Sequence, residues 1–222
     1  MTAAAIEATE LYRFYRADDE ETLALRGVSV RVEAGELVAV VGPSGSGKST
    51  LLACLAGLDE PDGGQVRIGG VRLSHRPEPQ RAAMRARGIG VLFQSDNLIA
   101  HLTVAQNVDL VQRLAGRLDR SYRDRLLSDL GIAARAGAVV STLSGGEAAR
   151  AGLAVALAAE PAVLLADEPT GELDDTTEVG VLALLRDRAG AGTAVVVASH
   201  SAAVAATADR RIELVDGRVS GD

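Results

Sequence analysis

The sequence is short of aromatic residues, cysteine and lysine, and the first two shortages each exclude a kind of site. Tryptophan is absent and aromatic residues make up 2% of the 222 positions, which argues against a surface on which nucleic-acid bases stack. Cys54 is the only cysteine, so the chain forms no internal disulfide and no cysteine-rich metal site. Lysine occurs once, at Lys48, whereas arginine occurs 22 times.

Positive charge is also scarce. The 30 acidic residues outnumber the 23 lysines and arginines, and the net charge of −7 argues against nucleic acid as a partner. The longest uncharged window, 189–208, has the length of a membrane span, but glycines, hydroxyl residues and a histidine interrupt it. We therefore interpret it as a buried strand over 193–198 followed by a turn and a helix, and we expect a cytoplasmic protein.

Short apolar runs alternate with longer stretches rich in Ala and Leu, which is the pattern of parallel strands joined by helices. The runs that are apolar almost throughout, as in strands buried on both faces, are 37–41, 90–93, 163–166 and 194–198. Three further runs predict antiparallel strands in the first third of the chain, at 6–14, 23–32 and 65–68.

Between about 95 and 144 the pattern is helical. Thr103 is placed to cap a helix that reaches Ala115, and Asp119 is placed to start another that ends near Gly131. The sequence therefore predicts a single α/β domain with a helical insertion. The predicted boundaries are 1–222 for the domain, 1–94 and 160–222 for its α/β core, and 95–159 for the insertion.

A phosphate-binding pattern follows the first of the buried runs. It fits G-x-x-x-x-G-K-[ST] and stands between a predicted strand and a predicted helix at 50–56, the context that this motif needs. Glycines let backbone N–H groups converge on phosphate oxygens, Lys48 neutralises charge at the β- and γ-phosphates, and the Ser49 hydroxyl binds Mg²⁺. The alternative is a plain turn rich in Gly and Ser. The residues are Gly42, Pro43, Ser44, Gly45, Ser46, Gly47, Lys48 and Ser49.

Another apolar run, 163–166, ends in two carboxylates. A buried strand there would deliver Asp167 beside the phosphate loop, where a carboxylate can hold Mg²⁺. Glu168 is one residue further on and points elsewhere, so it is a candidate to orient or deprotonate an attacking water. The alternative is an acidic junction between strand and turn, with Pro169 and Gly171 making the turn.

A second glycine motif, Leu143-Ser144-Gly145-Gly146-Glu147, opens a predicted helix over 148–159. Ser144 and Glu147 have the spacing of a capping box, which is a sufficient structural explanation. Two glycines in a first turn are nevertheless poor helix formers, and they make sense where the backbone must approach an anion. The residues alone leave capping and anion binding equally open.

The order of these motifs resembles the ATP-binding subunit of ABC transporters over nearly the whole chain. The phosphate loop is followed in family order by Gln94, the Leu-Ser-Gly-Gly-Glu sequence, the 166–171 sequence Ala-Asp-Glu-Pro-Thr-Gly, Leu173-Asp174 and Ser199-His200. Leu-Ser-Gly-Gly is the discriminating element. The 93–108 and 166–171 stretches resemble more narrowly the subgroup of macrolide exporters, lipoprotein-release complexes and the division-associated ATPase–permease pair. The resemblance implies a P-loop (RecA-like) core sheet with an N-terminal antiparallel β subdomain and an inserted α-helical subdomain.

The resemblance also implies a role for each matching residue. Tyr15 would stack on adenine, with Tyr12 and Phe14 as nearby alternatives. Gln94 would reach Mg²⁺ or the attacking water, and His200 would contact the γ-phosphate. The implied catalytic residues are Glu168 as general base, His200, Gln94 and Lys48, and the implied metal ligands are Ser49, Gln94 and Asp167. The implied nucleotide contacts are Tyr15, Gly42 to Ser49, Thr50, Gln94, Asp167 and, from a second subunit, Ser144, Gly145 and Gly146, with Asp174 at the dimer interface.

Two positions depart from the family pattern. Ala148 and Ala149 stand before Arg150 where polar residues, often Gln, are usual, and this would weaken contacts beside the ATP. Glu172 adds a charge where a small or neutral residue is common, and this would alter dimer affinity or coupling to a partner.

A helical insertion would carry the Leu-Ser-Gly-Gly motif away from the phosphate loop of the same chain. The hypothesis is therefore a head-to-tail homodimer with two ATP molecules between facing motifs, which closes on ATP binding and opens on hydrolysis. We expect ATP and Mg²⁺ as cofactors. We also expect a separate integral-membrane permease as partner, and through it a location at the inner face of the cell membrane.

Three classes of function share an ATPase of this kind. The leading hypothesis is ATP hydrolysis that powers export or extraction by a permease. The alternative is an ATP-driven switch that acts through a division-type permease on cell-wall hydrolases. A third class acts on DNA or ribosomes, but its members carry paired cassettes, coiled coils or basic extensions, and the net charge of −7 argues against it.

Overall fold

The computed structural model describes residues 4–17, 20–95, 97–171 and 173–220, which form two sheets, seven α-helices and two short 3-10 helices. The strands are β1 Ile6–Ala17, β2 Glu20–Val32, β3 Leu37–Val41, β4 Gly63–Ile68, β5 Val71–Arg72, β6 Ile89–Leu92, β7 Val163–Asp167, β8 Ala194–Ala198, β9 Arg210–Val215 and β10 Arg218–Val219. The helices are α1 Lys48–Leu55, α2 Glu78–Gly88, α3 Val104–Leu114, α4 Arg120–Asp129, α5 Gly145–Leu157, α6 Asp175–Gly190 and α7 Ala202–Thr207. None of these helices is long and apolar enough to cross a membrane.

The larger sheet has the strand order β10-β9-β3-β8-β7-β6. Its pairings are parallel from β9 through β6, and β10 alone runs antiparallel, to β9. Because the strands are parallel, the ends of β3 and β7 emerge at the same edge, with β8 between them. The phosphate loop follows β3 and Asp167 ends β7, so this edge of the sheet gathers the predicted site.

Each face of the larger sheet is buried against a different layer. Leu37 and Ala39 face a core built with α3 to α6. Val38 and Val40 face a second core that includes α1 and the smaller sheet. This alternation explains why β3 is apolar throughout, as predicted for a strand covered on both sides. Cys54 of α1 lies in the second core, and burial raises the pKa of its thiol to about 12.

The smaller sheet is antiparallel, with the order β2-β1-β4-β5. All three strands predicted for this part of the chain are present, and β1 and β2 extend beyond the predicted ends to form a long hairpin. This sheet lies against α1, so α1 is sandwiched between the two sheets.

The helix caps expected from the sequence are confirmed. Thr103 accepts a hydrogen bond from Gln106 N and forms a full capping box, and Asp119 accepts one from Tyr122 N at 2.9 Å. Gly131, at φ +63°, follows the end of α4. Two helices begin earlier than predicted. The predicted helix 50–56 begins at Lys48, because Gly47 is its N-cap, and the predicted helix 148–159 begins at Gly145, because Ser144 is its N-cap.

Candidate nucleotide-binding site

The loop between β3 and α1 is held open by glycines in conformations that other residues avoid. Gly42, Gly45 and Gly47 have φ values of +153°, +77° and +103°. A Cβ on Gly42 would lie 2.1 Å from Leu214 O, and one on Gly47 would lie 2.5 Å from Ala24 O. The loop is therefore wedged between β9 and β2, and only glycine fits at these two positions.

The first turn of α1 presents backbone donors to this loop. Gly47 caps the helix without a side-chain hydrogen bond from the described residues, so first-turn N–H groups keep their capacity for an anion. Ser46 Oγ is buried and has no hydrogen-bond partner in the described part of the chain. Lys48 Nζ turns back on its own loop and donates to Gly42 O at 2.9 Å and Pro43 O at 3.0 Å. These donors fit a phosphate group.

A cleft of about 540 Å³ extends from this loop. Every residue predicted to hold the nucleotide base, the metal or the attacking water reaches it. The predicted site residues that line it are Tyr15, Ser44, Gly45, Gly47, Lys48, Ser49, Thr50, Gln94, Asp167, Glu168 and His200. Sequence positions more than 180 residues apart thus converge on one cleft.

Oxygen donors in the cleft suit a magnesium ion. Ser49 lies in the first turn of α1, Asp167 ends β7 and Gln94 follows β6, and hydroxyl, carboxylate and amide oxygens are the ligands that Mg²⁺ takes. Among the described residues no group of three His, Cys, Asp or Glu side chains makes a metal cage. The donor set therefore fits an ion that shares its coordination with substrate phosphates.

Glu168 has a strained backbone and an engaged carboxylate. Its φ is +47°, which is unusual for a residue with a side chain. Its Oε2 accepts from Ser199 Oγ at 2.8 Å, and its Oε1 accepts from His200 N at 3.2 Å and lies 2.8 Å from His200 Nδ1. The Glu168 side chain is 13% exposed and the His200 ring is 76% exposed, and both residues line the cleft.

Tyr15 is the aromatic residue of β1 that lines the cleft. Of its two alternatives, Tyr12 packs across the smaller sheet, since its ring lies over Gly63 and its hydroxyl lies beside Gly27. Phe14 is not among the described residues that line the cleft. The structure therefore places Tyr15, rather than its neighbours, where a base could stack.

Several cleft residues carry no motif and were not predicted. They come from β2 and from the turn between β9 and β10, and they are Thr22, Leu23, Ala24, Arg26, Asp216 and Gly217. Gly217 N donates to Ser46 O at 3.0 Å and Arg26 N donates to Gly217 O at 2.8 Å, so this turn supports the phosphate loop. Asp216-Gly217 is a strong hairpin signal, and it directly follows β9, whose residues alternate between exposed and buried. This dipeptide is the sequence signal that identifies the turn.

The Leu-Ser-Gly-Gly segment forms the capping box expected of it. Ser144 Oγ accepts from Glu147 N at 3.3 Å and Glu147 Oε2 accepts from Ser144 N at 2.9 Å. The second hydrogen bond lowers the pKa of Glu147. Capping does not explain the glycines, however. A Cβ on Gly145 would meet nothing within 4 Å, and one on Gly146 would lie 3.6 Å or more from its nearest neighbour.

The remaining predicted residues lie away from the phosphate loop. Asp174 is the N-cap of α6 and accepts hydrogen bonds from Thr177 N and Oγ1. Ala148 and Ala149 line a separate cleft of about 410 Å³ that also contains Gly145 and is joined to the first by Gln94, Glu168 and His200. Glu172 lies outside the described residues.

Fold and site together define a P-loop ATPase of α/β architecture, and comparison with known proteins gives the family. The sequence profile described as "ABC transporter" matches residues 25–171. The macrolide export ATP-binding/permease proteins MacB of Burkholderia thailandensis and Yersinia pestis are each 40% identical to the chain. The matches cover 100% and 99% of the chain and 34% of each relative. The chain thus spans about a third of the length of the curated relatives it matches.

Solved structures agree with this assignment. A dimeric structure of MJ0796, a bacterial ABC transporter cassette, is 35% identical and superposes with a TM-score of 0.90 over 97% of this chain and 96% of that one. A dimeric post-hydrolysis state of the same cassette, bound to ADP and Pi, is 34% identical with a TM-score of 0.89 over the same shares. The chain belongs to the ABC transporter family and is an ABC ATPase cassette.

Proposed function

We propose that the chain hydrolyses ATP with Mg²⁺ as a head-to-tail homodimer and that this hydrolysis drives a membrane permease. The observation that carries the proposal is that no contact within the described chain requires glycine at Gly145 or Gly146, in the first turn of α5. Gly42 and Gly47 are required by contacts within the chain, whereas the space around Gly145 and Gly146 is open. A close approach by a second subunit and its bound ATP accounts for the open pair.

In this dimer each site would take its phosphate loop from one subunit and Ser144 to Gly146 from the other. None of these three residues lines the described cleft around the phosphate loop, and Gly145 lines the adjoining cleft instead. In this proposal one chain therefore supplies half of each site. The N-terminus of α5 offers N–H donors to the γ-phosphate from the partner side. ATP would contribute contacts across the interface, so its binding closes the dimer and its hydrolysis opens it.

The chain's own residues divide the chemistry. Lys48 and the loop N–H groups hold the β- and γ-phosphates, and Ser49, Gln94 and Asp167 would hold Mg²⁺, which neutralises charge on the phosphate oxygens. His200 binds the γ-phosphate and in doing so releases Oε1 of Glu168. The freed carboxylate takes a proton from the water whose oxygen attacks the γ-phosphorus, while the bond from the γ-phosphorus to the bridging oxygen breaks and leaves ADP.

The test is the mass of Glu168→Gln, measured by size exclusion with light scattering. The amide keeps the shape of the side chain but is not a base, so ATP stays bound, and we expect the dimer mass with MgATP and the monomer mass with MgADP. Adding Gly146→Asp to Glu168→Gln should abolish the dimer, whereas adding Gly137→Asp should not, because Gly137 is an equally open glycine outside the motif. A monomer with ATP would overturn the homodimer.

The permease and the export direction are proposed from relatives. The MacB proteins are described as macrolide export ATP-binding/permease proteins, and the chain matches about a third of their length. We propose a permease of export or extraction type as the partner, either as a separate chain or as part of a longer protein, and hence a place at the inner face of the membrane. The test is whether a co-purifying permease in liposomes stimulates ATP hydrolysis. Stimulation of a cell-wall hydrolase through the permease, without export, would favour the switch function instead.

A further inference from the structure

A network of charged groups holds the Tyr15 side chain in place. Asp59 Oδ2 accepts from the Tyr15 hydroxyl at 2.5 Å and from Arg13 Nε at 2.9 Å, while Asp59 Oδ1 lies 2.8 Å from Arg13 Nη2. The pair is therefore bidentate. The side chains of Arg13 and Asp59 are only 21% and 22% exposed, which limits solvent screening of the pair.

Arg13 also covers one face of the Tyr15 ring. Its guanidinium carbon lies 4.7 Å from the ring centroid, which is a cation–π contact. A second anchor holds Arg13 itself, since Asp62 Oδ2 accepts from Arg13 Nη1 at 3.1 Å and from Phe14 N at 2.8 Å. With one face occupied and the hydroxyl held, Tyr15 has one ring face left for a base.

The pKa shifts agree with this geometry. Burial raises the pKa of Asp59, but the hydrogen bonds from Arg13 and Tyr15 outweigh it, so that the pKa is lowered and the group stays a carboxylate. Burial and the hydrogen bond to Asp59 raise the pKa of Tyr15, which keeps the phenol protonated as a donor.

Asp59 links the two halves of the cleft. It lies in the turn after α1, where its backbone N–H donates to Ala53 O at 3.2 Å, and α1 begins with Lys48 of the phosphate loop. Tyr15 belongs to β1 of the smaller sheet. The carboxylate therefore ties the strand that carries the ring to the helix that carries the phosphate donors, so the spacing between base and phosphate sites is set before the nucleotide binds.

We propose that Arg13 and Asp59 are positioning residues that hold Tyr15 ready for the adenine base and so contribute to the selection of ATP. This inference rests on the proposed function, in which Tyr15 stacks on adenine. A loose tyrosine must lose its side-chain freedom when the base binds, and that cost weakens binding. A tyrosine held by Asp59 and Arg13 has already lost this side-chain freedom, so the base binds without that cost.

The experiment compares two ligands by calorimetry, MgATP and magnesium tripolyphosphate, which has the phosphates without the base. Asp59→Asn and Arg13→Gln should each weaken ATP binding about three- to tenfold, the range expected for ordering one side chain, and leave tripolyphosphate binding unchanged. In steady state they should raise KM for ATP more than they lower kcat. Tyr15→Phe keeps the ring and loses the hydroxyl, so it should show a smaller shift of the same kind.

A matched control exists at the next residue. Glu60 follows Asp59 in the same turn, pairs with Arg81 of α2 and makes no hydrogen bond or ion pair to Tyr15 among the described contacts. Glu60→Gln should therefore bind both ligands like the wild type. Tyr15→Ala separates the two levels of the proposal. If Tyr15→Ala weakens ATP binding but Asp59→Asn and Tyr15→Phe do not, the positioning role is wrong and base stacking stands. If Tyr15→Ala has no effect, base stacking itself is wrong. Equal weakening of both ligands by Asp59→Asn would show structural damage and overturn the positioning role.

Discussion

Two glycines of the phosphate loop, Gly45 and Gly47, should respond very differently to the same substitution. Both lie at positive φ, so an alanine at either position costs about 1–2 kcal/mol of backbone strain. The surroundings differ, however. A Cβ on Gly45 would meet nothing within 4 Å, whereas one on Gly47 would lie 2.5 Å from the carbonyl oxygen of Ala24 in β2.

The clash at Gly47 sets the size of the effect. Ordinary van der Waals contact requires separations of 3.4 Å or more, and the obstacle is a backbone atom of β2 rather than the end of a flexible side chain, so the loop must move by about 1 Å. A displacement of about 1 Å at a reacting group costs on the order of 100-fold in rate. We therefore expect Gly47→Ala to lose about 100-fold more kcat/KM for ATP than Gly45→Ala.

The assay is steady-state phosphate release with MgATP, accompanied by urea unfolding of both variants. Gly45→Ala should lose about 1–2 kcal/mol of unfolding free energy and keep most of its activity. Gly47→Ala should remain folded and be nearly inactive. Equal losses of activity would refute the reasoning, because they would mean that the contact with Ala24 does not fix the loop.

Three further predictions follow from the same geometry. Lys48→Arg should abolish phosphate release at saturating ATP, because a planar guanidinium is too bulky for the loop that Lys48 Nζ spans; retained turnover would contradict this. Gly90→Ala should cost about 1–3 kcal/mol in urea unfolding, since its Cβ would lie 2.2 Å from Ala156 O, while Gly88→Ala, with open space, should cost nothing. Asp59→Asn should lower the free energy of unfolding by a constant amount above about pH 5 and by a smaller amount below about pH 4. The reason is that the folded pKa of Asp59 is lowered, so the stability that its carboxylate contributes is lost as the group becomes protonated. A loss of stability that does not change with pH would contradict this.

Most of the fold was predictable because its signals are local. The apolar runs of β3, β7 and β8 reflect burial on both faces, and the caps at Thr103 and Asp119 are set by residues three positions away. Strands such as β5 and β10, of two residues each, are too short to show a period. The predicted start of α1 is two residues late because Gly47 caps the helix without a side chain.

The site was predictable where a motif carries it and not where tertiary packing does. The phosphate loop follows β3, Asp167 ends β7 and Glu168 comes directly after it, so their convergence comes from the order of parallel strands. The hydrogen bond between Arg13 and Asp59 spans 46 residues and joins β1 to the turn after α1, and no pattern in a single sequence predicts such a pair. The role proposed for Gly145 and Gly146 likewise depends on a surface outside the chain, which no pattern within the chain describes.

The most direct test of the head-to-tail dimer mixes two variants, each defective in one half of the site. Lys48→Ala removes the phosphate-loop cation and Gly146→Asp blocks the open face of the Leu-Ser-Gly-Gly motif, so each alone should release almost no phosphate from MgATP. In a mixed dimer the intact loop of the Gly146→Asp subunit faces the intact motif of the Lys48→Ala subunit. We predict that mixing restores a substantial fraction of wild-type ATPase activity. Activity no greater than the sum of the two variants measured separately would contradict sites shared between subunits.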